Sequence, residues 1–479
     1  MRLMFSFPLF PVAAALITVS AVHAQRAATP PAALANASTY AAIRDKALAS
    51  GWAFERLADL TDLIGPRLAG SPAAQAAVEQ VAQAMRADGL KVTLQPMRTP
   101  HWVRGAESAE VVEYAGRPKG ITQHLHVTAL GGSVSTGAAG ITAPVLVVRN
   151  FAELTARAKE AVGRIVLFDV PFDQELADNG QAGTAYGQAV AYRIGGAAAA
   201  AKVGAVAALV RAAGGANYRI THAGQMGYDP ALPKLPSASI TAEDSALVAR
   251  LAKRGAVSLQ LVLTPETLPE VDSFNVLGDL VGSEKPEEIV LISGHLDSWD
   301  LGTGAIDDGA GVVAAVGVAH VFKELKVRPK RTLRVVAFMS EENGVFGGNA
   351  YFEALKSQLA QHVAVIESDF GAGRTLGLQA SVSTASFAAL QALREVLMPI
   401  GATALERTEH SGADISNWTS AGVPGFHPLM DGRHYFDYHH SPADTLDKVD
   451  PKNLQRMVAT LAVLAFFLAN SPEPLERTH

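Results

Sequence analysis

From Asn275 to the carboxyl end, short apolar runs alternate with longer segments of helical period. The runs Ile289 to Ile292, Leu333 to Phe338 and Val363 to Ile366 have the length and β-branched content of buried strands. Between them, about Asp308 to Leu325 and Gly348 to Gln358 read as helices. Strand and helix in alternation imply crossover connections. The predicted class is therefore α/β, with a mixed, partly parallel sheet sandwiched by helices. Tyr40 to Lys91 is helical in pattern, broken at Gly65-Pro66-Arg67 and Gly70-Ser71, and strand-like stretches follow at Val92 to Leu94 and Ala109 to Tyr114.

The middle of the chain changes character. Short apolar strands appear at Val145 to Val148, Ile165 to Phe168 and Ala205 to Val210, with an alanine-rich helix candidate at Ala197 to Ala201 and no cluster of His and acidic residues. This block is expected to be an inserted domain. The organisation that follows is 1–24 a signal peptide, 25–39 a flexible lead-in, 40–121 the first part of the main domain, 122–264 the insert, 265–472 the rest of the main domain and 473–479 a tail.

The signal peptide rests on Arg2, the apolar run Leu9 to Val22 and small residues at the cleavage positions of Val22-His23-Ala24. The run is shorter than the roughly 20 residues that span a bilayer, so cleavage after Ala24 and a secreted or periplasmic location are expected, without stable membrane insertion. The apolar stretch Met457 to Ala469 is shorter still and reads as a buried helix. Net charge is −6 with no basic stripe, so nucleic acid is not an expected partner. The chain contains no cysteine, which removes disulfides, thiolate ligands and a thiol nucleophile together. A metal would have to be held by His, Asp and Glu.

Ligands of open α/β sheets sit beyond the carboxyl ends of the strands. The three strands above run into His295 and Asp297, into Glu341 and Glu342, and into Glu367 and Asp369. Asp307-Asp308 opens a helix through Gly309-Ala310-Gly311, and His439-His440 precedes Asp444. Such a nitrogen and oxygen set suits zinc, and a carboxylate bridging two ions suits hydrolysis. Asp297, two residues past His295, is placed to fix the imidazole tautomer. Alternation sends Glu341 and Glu342 in different directions, so one can bind metal while the other handles protons. No serine lies in a Gly-x-Ser-x-Gly elbow, and Gly302-Thr303-Gly304 lacks the spacing of a phosphate loop.

Gly294-His295-Leu296-Asp297-Ser298-Trp299-Asp300, Gly304 to Gly311, Ser340-Glu341-Glu342 and His440-Ser441-Pro442-Ala443-Asp444-Thr445 resemble, in order, the metal motifs of the co-catalytic di-zinc aminopeptidases. Gly65 to Ser71, Asn275 to Leu280 and Ala413 to Trp418 match as well, so the resemblance covers most of the chain. It implies the zinc exopeptidase fold, related to the phosphorylase/hydrolase architecture. It also implies two zinc ions: one on His295 and Asp369, the other on Glu342 and His440, with Asp307 bridging and Glu341 as general base. The 122–264 block would be a β-rich protease-associated domain. His410 stands where relatives carry an oxyanion-stabilising tyrosine, with Tyr435 and Tyr438 as alternatives, and His440 is preferred to His439 by its register against Asp444.

The expected activity is that of an exopeptidase, an aminopeptidase or a dipeptidase, on short peptides, with a homodimer as an option. Glu367, Glu409 and Arg433 are candidates for recognising a peptide terminus. Two rivals are a binding protein on the same fold that has lost its activity and a glutaminyl cyclase. The first should lack a ligand or the base, and here every such position carries the required residue type.

Overall fold

The computed structural model describes residues 36–478. The predicted signal peptide lies outside the described residues, as does the lead-in up to residue 35. Helix Ala37–Leu48 begins three residues earlier than the pattern suggests.

The main sheet has eight strands, in the order Lys91–Val103, Glu266–Leu280, Arg331–Phe338, Lys285–His295, His362–Glu367, Gly425–Met430, Thr375–Ser381 and Ala404–Arg407. Its centre is parallel: Lys285–His295 pairs in parallel with Arg331–Phe338 and with His362–Glu367, which pairs in parallel with Gly425–Met430. Antiparallel pairs flank this centre on both sides. Successive side chains alternate between faces. Val290, Ile292, Val335, Ala337, Ala364 and Ile366 join the core beneath helices Ala310–Glu324 and Pro451–Asn470. Leu291, Val336, Phe338 and Val365 join Tyr351 and Trp418 on the other side. Burial on both faces explains why these strands read as unbroken apolar runs. Helix Ala310–Glu324 is apolar nearly all round because it is packed on nearly all sides.

A second eight-stranded sheet is formed by residues between Glu107 and Leu263. It opens earlier than residue 122, because Glu107–Tyr114 pairs antiparallel with Val257–Leu263. Strands Ile141–Val148, Ile165–Phe168, Ala207–Arg211 and Ser237–Ile240 are parallel neighbours, so this unit is itself partly α/β. The chain leaves the main sheet at 104–106 and returns at 264–265. The two crossings are tied by Thr264 N–H donating to Ala106 O (3.0 Å) and Ala106 N–H donating to Thr264 Oγ1 (2.8 Å). A Cβ on Gly105 would lie 1.9 Å from Thr264 O, so only glycine passes there.

His362, at the start of a central strand, is fully buried and packed at a tilt against Trp418 with ring centroids 4.0 Å apart. Its Nδ1 faces the Gln358 carbonyl (3.2 Å) and its Nε2 the Tyr351 hydroxyl (2.8 Å). Burial holds its pKa down to about 4. The folded state therefore prefers the neutral ring. The associated stability is complete above the unfolded pKa near 6.5 and is lost as pH falls from there through 4, up to about 3 kcal/mol. Denaturant titrations between pH 7 and 4 are expected to show this slope, and His362→Gln is expected to flatten it.

Candidate metal centre and active site

The parallel strands Lys285–His295, Arg331–Phe338 and His362–Glu367 end at one edge of the main sheet, and His295, Glu341, Glu342 and Asp369 gather there. Asp307 arrives on the turn Ala305–Gly309, where it and Asp308 leave helical conformation before helix Ala310–Glu324 begins. The Asp308 carboxylate folds back to accept from the backbone N–H of His295 and of Gly311, both at 3.0 Å. A Cβ on Gly311 would lie 1.9 Å from Ser368 O. This glycine lets the helix start press against the segment that carries Asp369.

Asp307 faces two groups at once. Its Oδ1 lies 3.1 Å from His295 Nε2, which lies 3.5 Å from Asp369 Oδ1. Its Oδ2 lies 3.2 Å from His440 Nε2, which is 2.9 Å from Glu342 Oε2. Ligands about 2.05 Å from a tetrahedral zinc stand about 3.3 Å from one another, which is the spacing seen here. Asp307 Oδ2 and Glu342 Oε1 are buried with no hydrogen-bond partner among the described residues. Burial opposes charging of His295 and His440, yet the surrounding carboxylates hold His295 well above its ordinary pKa and push His440 up to about 9. Burial raises Glu341, Glu342, Asp308 and Asp369, and their acidic neighbours add to it. Converging acids with orphaned oxygens call for a cation, so the residues fit a metal.

His295 Nδ1 donates to the Asp297 carbonyl oxygen at 3.0 Å, while the Asp297 carboxylate stands 3.8 Å away. The backbone therefore sets the tautomer, which corrects the expectation for the Asp297 side chain. Its carboxylate accepts instead from the backbone N–H of Glu341 (3.1 Å) and Glu342 (3.3 Å). Of the two adjacent histidines, His439 Nε2 also approaches Asp307 Oδ2 (3.3 Å), and its ring stacks on that of His440 at 3.6 Å. His440 also reaches Glu342 Oε2, at 2.9 Å, whereas His439 pairs with Asp307 alone among the described residues. The left-handed backbone at His440 (φ 58°) makes this turn.

The profile of Peptidase family M28 matches residues 275–465. Carboxypeptidase Q of Homo sapiens is 40% identical over 427 residues, 89% of this chain and 87% of the human protein. The chain belongs to peptidase family M28. A crystallised M28 peptidase precursor from Shewanella amazonensis is similar with a TM-score of 0.87 and 36% identity, over 92% of this chain and 98% of that one. A zinc aminopeptidase from Bacillus subtilis shares the fold at 20% identity, with a TM-score of 0.64 over 89% and 98% of the two chains. The protein is thus a metallopeptidase, a hydrolase of peptide bonds.

The M28 centre opens into a cavity of about 340 Å3 lined by Glu341, Glu342, Asp307, Asp369, His439 and His440. Tyr435 also lines it, and its hydroxyl forms no hydrogen bond among the described residues. His410 is exposed and Tyr438 is half-buried, and neither lines the cavity. Glu367 is spent on structure, accepting from the N–H groups of Ala413 (2.8 Å), Asp414 (3.3 Å) and Ile415 (3.0 Å). Burial and then Asp369 push it up to about 8. Glu409 is exposed, and Arg433 is exposed and paired with Asp431 at 2.8 Å.

The opposite wall of the M28 cavity comes from the second sheet's unit, and sequence reasoning missed it. Tyr186, Arg193 and Gln225 reach in from there, and the His222 ring lies behind His439 and His440, tilted against both. Arg193 is buried, and Nη1 contacts the Tyr186 hydroxyl (2.7 Å), Ala223 O (3.2 Å) and His440 Nδ1 (3.0 Å). Among the described residues its Nε has no hydrogen-bond partner, and the guanidinium forms no ion pair. A Cβ on Gly224 would fall 2.1 Å from Nη1, so that glycine makes room for the guanidinium. The one available signal was an arginine in the middle of the alanine- and glycine-rich helix Ala182–Lys202.

Proposed function

We propose that this M28 peptidase is a secreted two-zinc exopeptidase that releases single residues from short peptides bearing a free carboxylate. The reading is carried by Asp307, whose two oxygens face two separate histidine and carboxylate pairs. His295 and Asp369 would hold one ion and Glu342 and His440 the other, with Asp307 shared. Zinc bound there supplies Lewis acidity and lowers the pKa of water. Glu341 lines the cavity beside this set, with Asp297 holding its backbone N–H. Its carboxylate takes a proton from the attacking water and returns it to the leaving amine. Tyr435 is the donor available to the developing oxyanion. The unit between Glu107 and Leu263 acts as a protease-associated domain by closing the cleft. The inactive and cyclase readings find no support in this site, since each metal-holding position and the base are present.

Arg193 supports the carboxylate. A buried guanidinium without a counter-ion is costly unless a ligand brings one. In a dipeptide the terminal carboxyl carbon is three bonds, at most about 4 Å, from the scissile carbonyl carbon. A cation beside His440 lies within that range of the metal-holding residues, so it favours substrates whose carboxylate is next to the cleaved bond. Arg193→Met is expected to lower kcat/KM for free dipeptides about tenfold to a hundredfold, chiefly through KM. Dipeptide amides should be hydrolysed equally by both enzymes. Equal losses on acids and amides would sink the assignment, and a purified protein that takes up no zinc would sink the wider reading.

A further inference from the structure

Trp299 follows the Gly294 to Ser298 segment, yet its ring is not part of the main core. It is 3% exposed and packs with Ala129, Ala223 and Leu263 in the core beneath the second sheet. The fit is close: a Cβ on Gly131 would lie 2.0 Å from Cη2 of the indole. The next residue is anchored in the same direction. Asp300 takes a bidentate pair from Arg104 at 2.7 Å each, and Arg104 also binds Glu107 and the Ala129 carbonyl oxygen, both at 2.7 Å. From this position the indole Nε1–H donates to Glu342 Oε2 at 2.6 Å. Glu342 Oε1, the other oxygen, is buried and unpartnered.

We propose that Trp299 is a positioning residue for Glu342, through which the packing of the second unit sets the affinity of one of the two metal positions. The proposal rests on the two-zinc reading above. An indole N–H can only donate, so it occupies one carboxylate oxygen and fixes the rotation of the group. That same oxygen, Oε2, is thereby held 2.9 Å from His440 Nε2, with little conformational entropy left to lose on binding. Hydrogen bonds to metal-holding carboxylates of this kind are worth about tenfold to a hundredfold in affinity. Because the ring is held by residues of the other unit, its aim depends on how the two units pack.

The test is Trp299→Phe, which keeps an aromatic ring and removes the donor, together with Gly131→Ala, which displaces the indole from the far side and touches no metal-holding residue. Full-length protein is stripped by chelation, and zinc affinities are measured by chelator competition. Cobalt absorption reports each position's geometry, and thermal unfolding of the stripped chains reports the fold. Both variants are expected to weaken one position about tenfold to a hundredfold, to leave the other at its native affinity, and to regain turnover at excess zinc. Native affinity at both positions in either folded variant overturns the proposal. So does an equal loss at both positions accompanied by a lowered unfolding temperature of the stripped chain, which is the signature of a purely structural role. If the unsubstituted protein binds no zinc, it is the two-zinc reading that falls.

Discussion

Glu341→Gln is expected to lower kcat by about a thousandfold while leaving KM and zinc content unchanged. The amide is nearly isosteric, so the backbone hydrogen bond from residue 341 to Asp297 Oδ1 (3.1 Å) survives. The carboxylate forms no hydrogen bond or ion pair with the residues that face Asp307, which pair among themselves. What disappears is a group able to take a proton from water and deliver it to an amine. Steady-state kinetics on a free dipeptide, with metal analysis of the same preparation, makes the check. A variant retaining more than about a tenth of native turnover would exclude Glu341 as the base, since general bases contribute 10²- to 10⁴-fold.

The second large effect is on the scaffold. Arg67 is fully buried, and its guanidinium donates to the carbonyl oxygens of Leu296 (2.6 Å), Thr303 (2.6 Å), Gly304 (2.8 Å) and Gly65 (3.3 Å). Three of these carbonyls, those of Leu296, Thr303 and Gly304, lie in the loop between His295 and Asp307, so one planar fork sets the distance between these two residues. Burial lowers the Arg67 pKa, and the surrounding aspartates, Asp444 and Asp297 foremost, oppose that. Arg67→Met would leave several buried carbonyls unpaired, each costing about 1 to 3 kcal/mol. The expected loss is about 4 kcal/mol of stability, with weakened zinc binding because Asp307 moves. Arg67→Lys should rescue little, since an ammonium cannot reproduce the fork. Equilibrium unfolding and zinc competition on the two variants check this, and near-native values for either would refute it.

Much of the site was legible in the linear chain because its parts are local. His295, Glu341, Glu342 and Asp369 each follow an apolar run at fixed spacing, and in a parallel sheet the end of a run is already an address at one edge. Asp307 was legible through its glycines, which a close-packed helix start requires. The absence of cysteine left only nitrogen and oxygen donors for a metal. These inferences need nothing beyond residue type, period and order.

The tertiary structure decided whatever depends on contacts between distant segments. It separated His440 from His439 by a 2.9 Å approach to Glu342 across about a hundred residues. It moved the tautomer-setting role from the Asp297 side chain to its carbonyl oxygen. The second sheet begins at Glu107 because Val257–Leu263 is there to pair with it, and composition does not shift at that point. Arg193, on helix Ala182–Lys202, is a buried cation facing the cavity, which its sequence neighbours do not reveal. Trp299 looked like part of a motif and proved to sit in the other unit's core. Periodicity reports which face of an element is buried; it carries no information about which distant surface buries it, and in this peptidase that surface holds the far wall of the site.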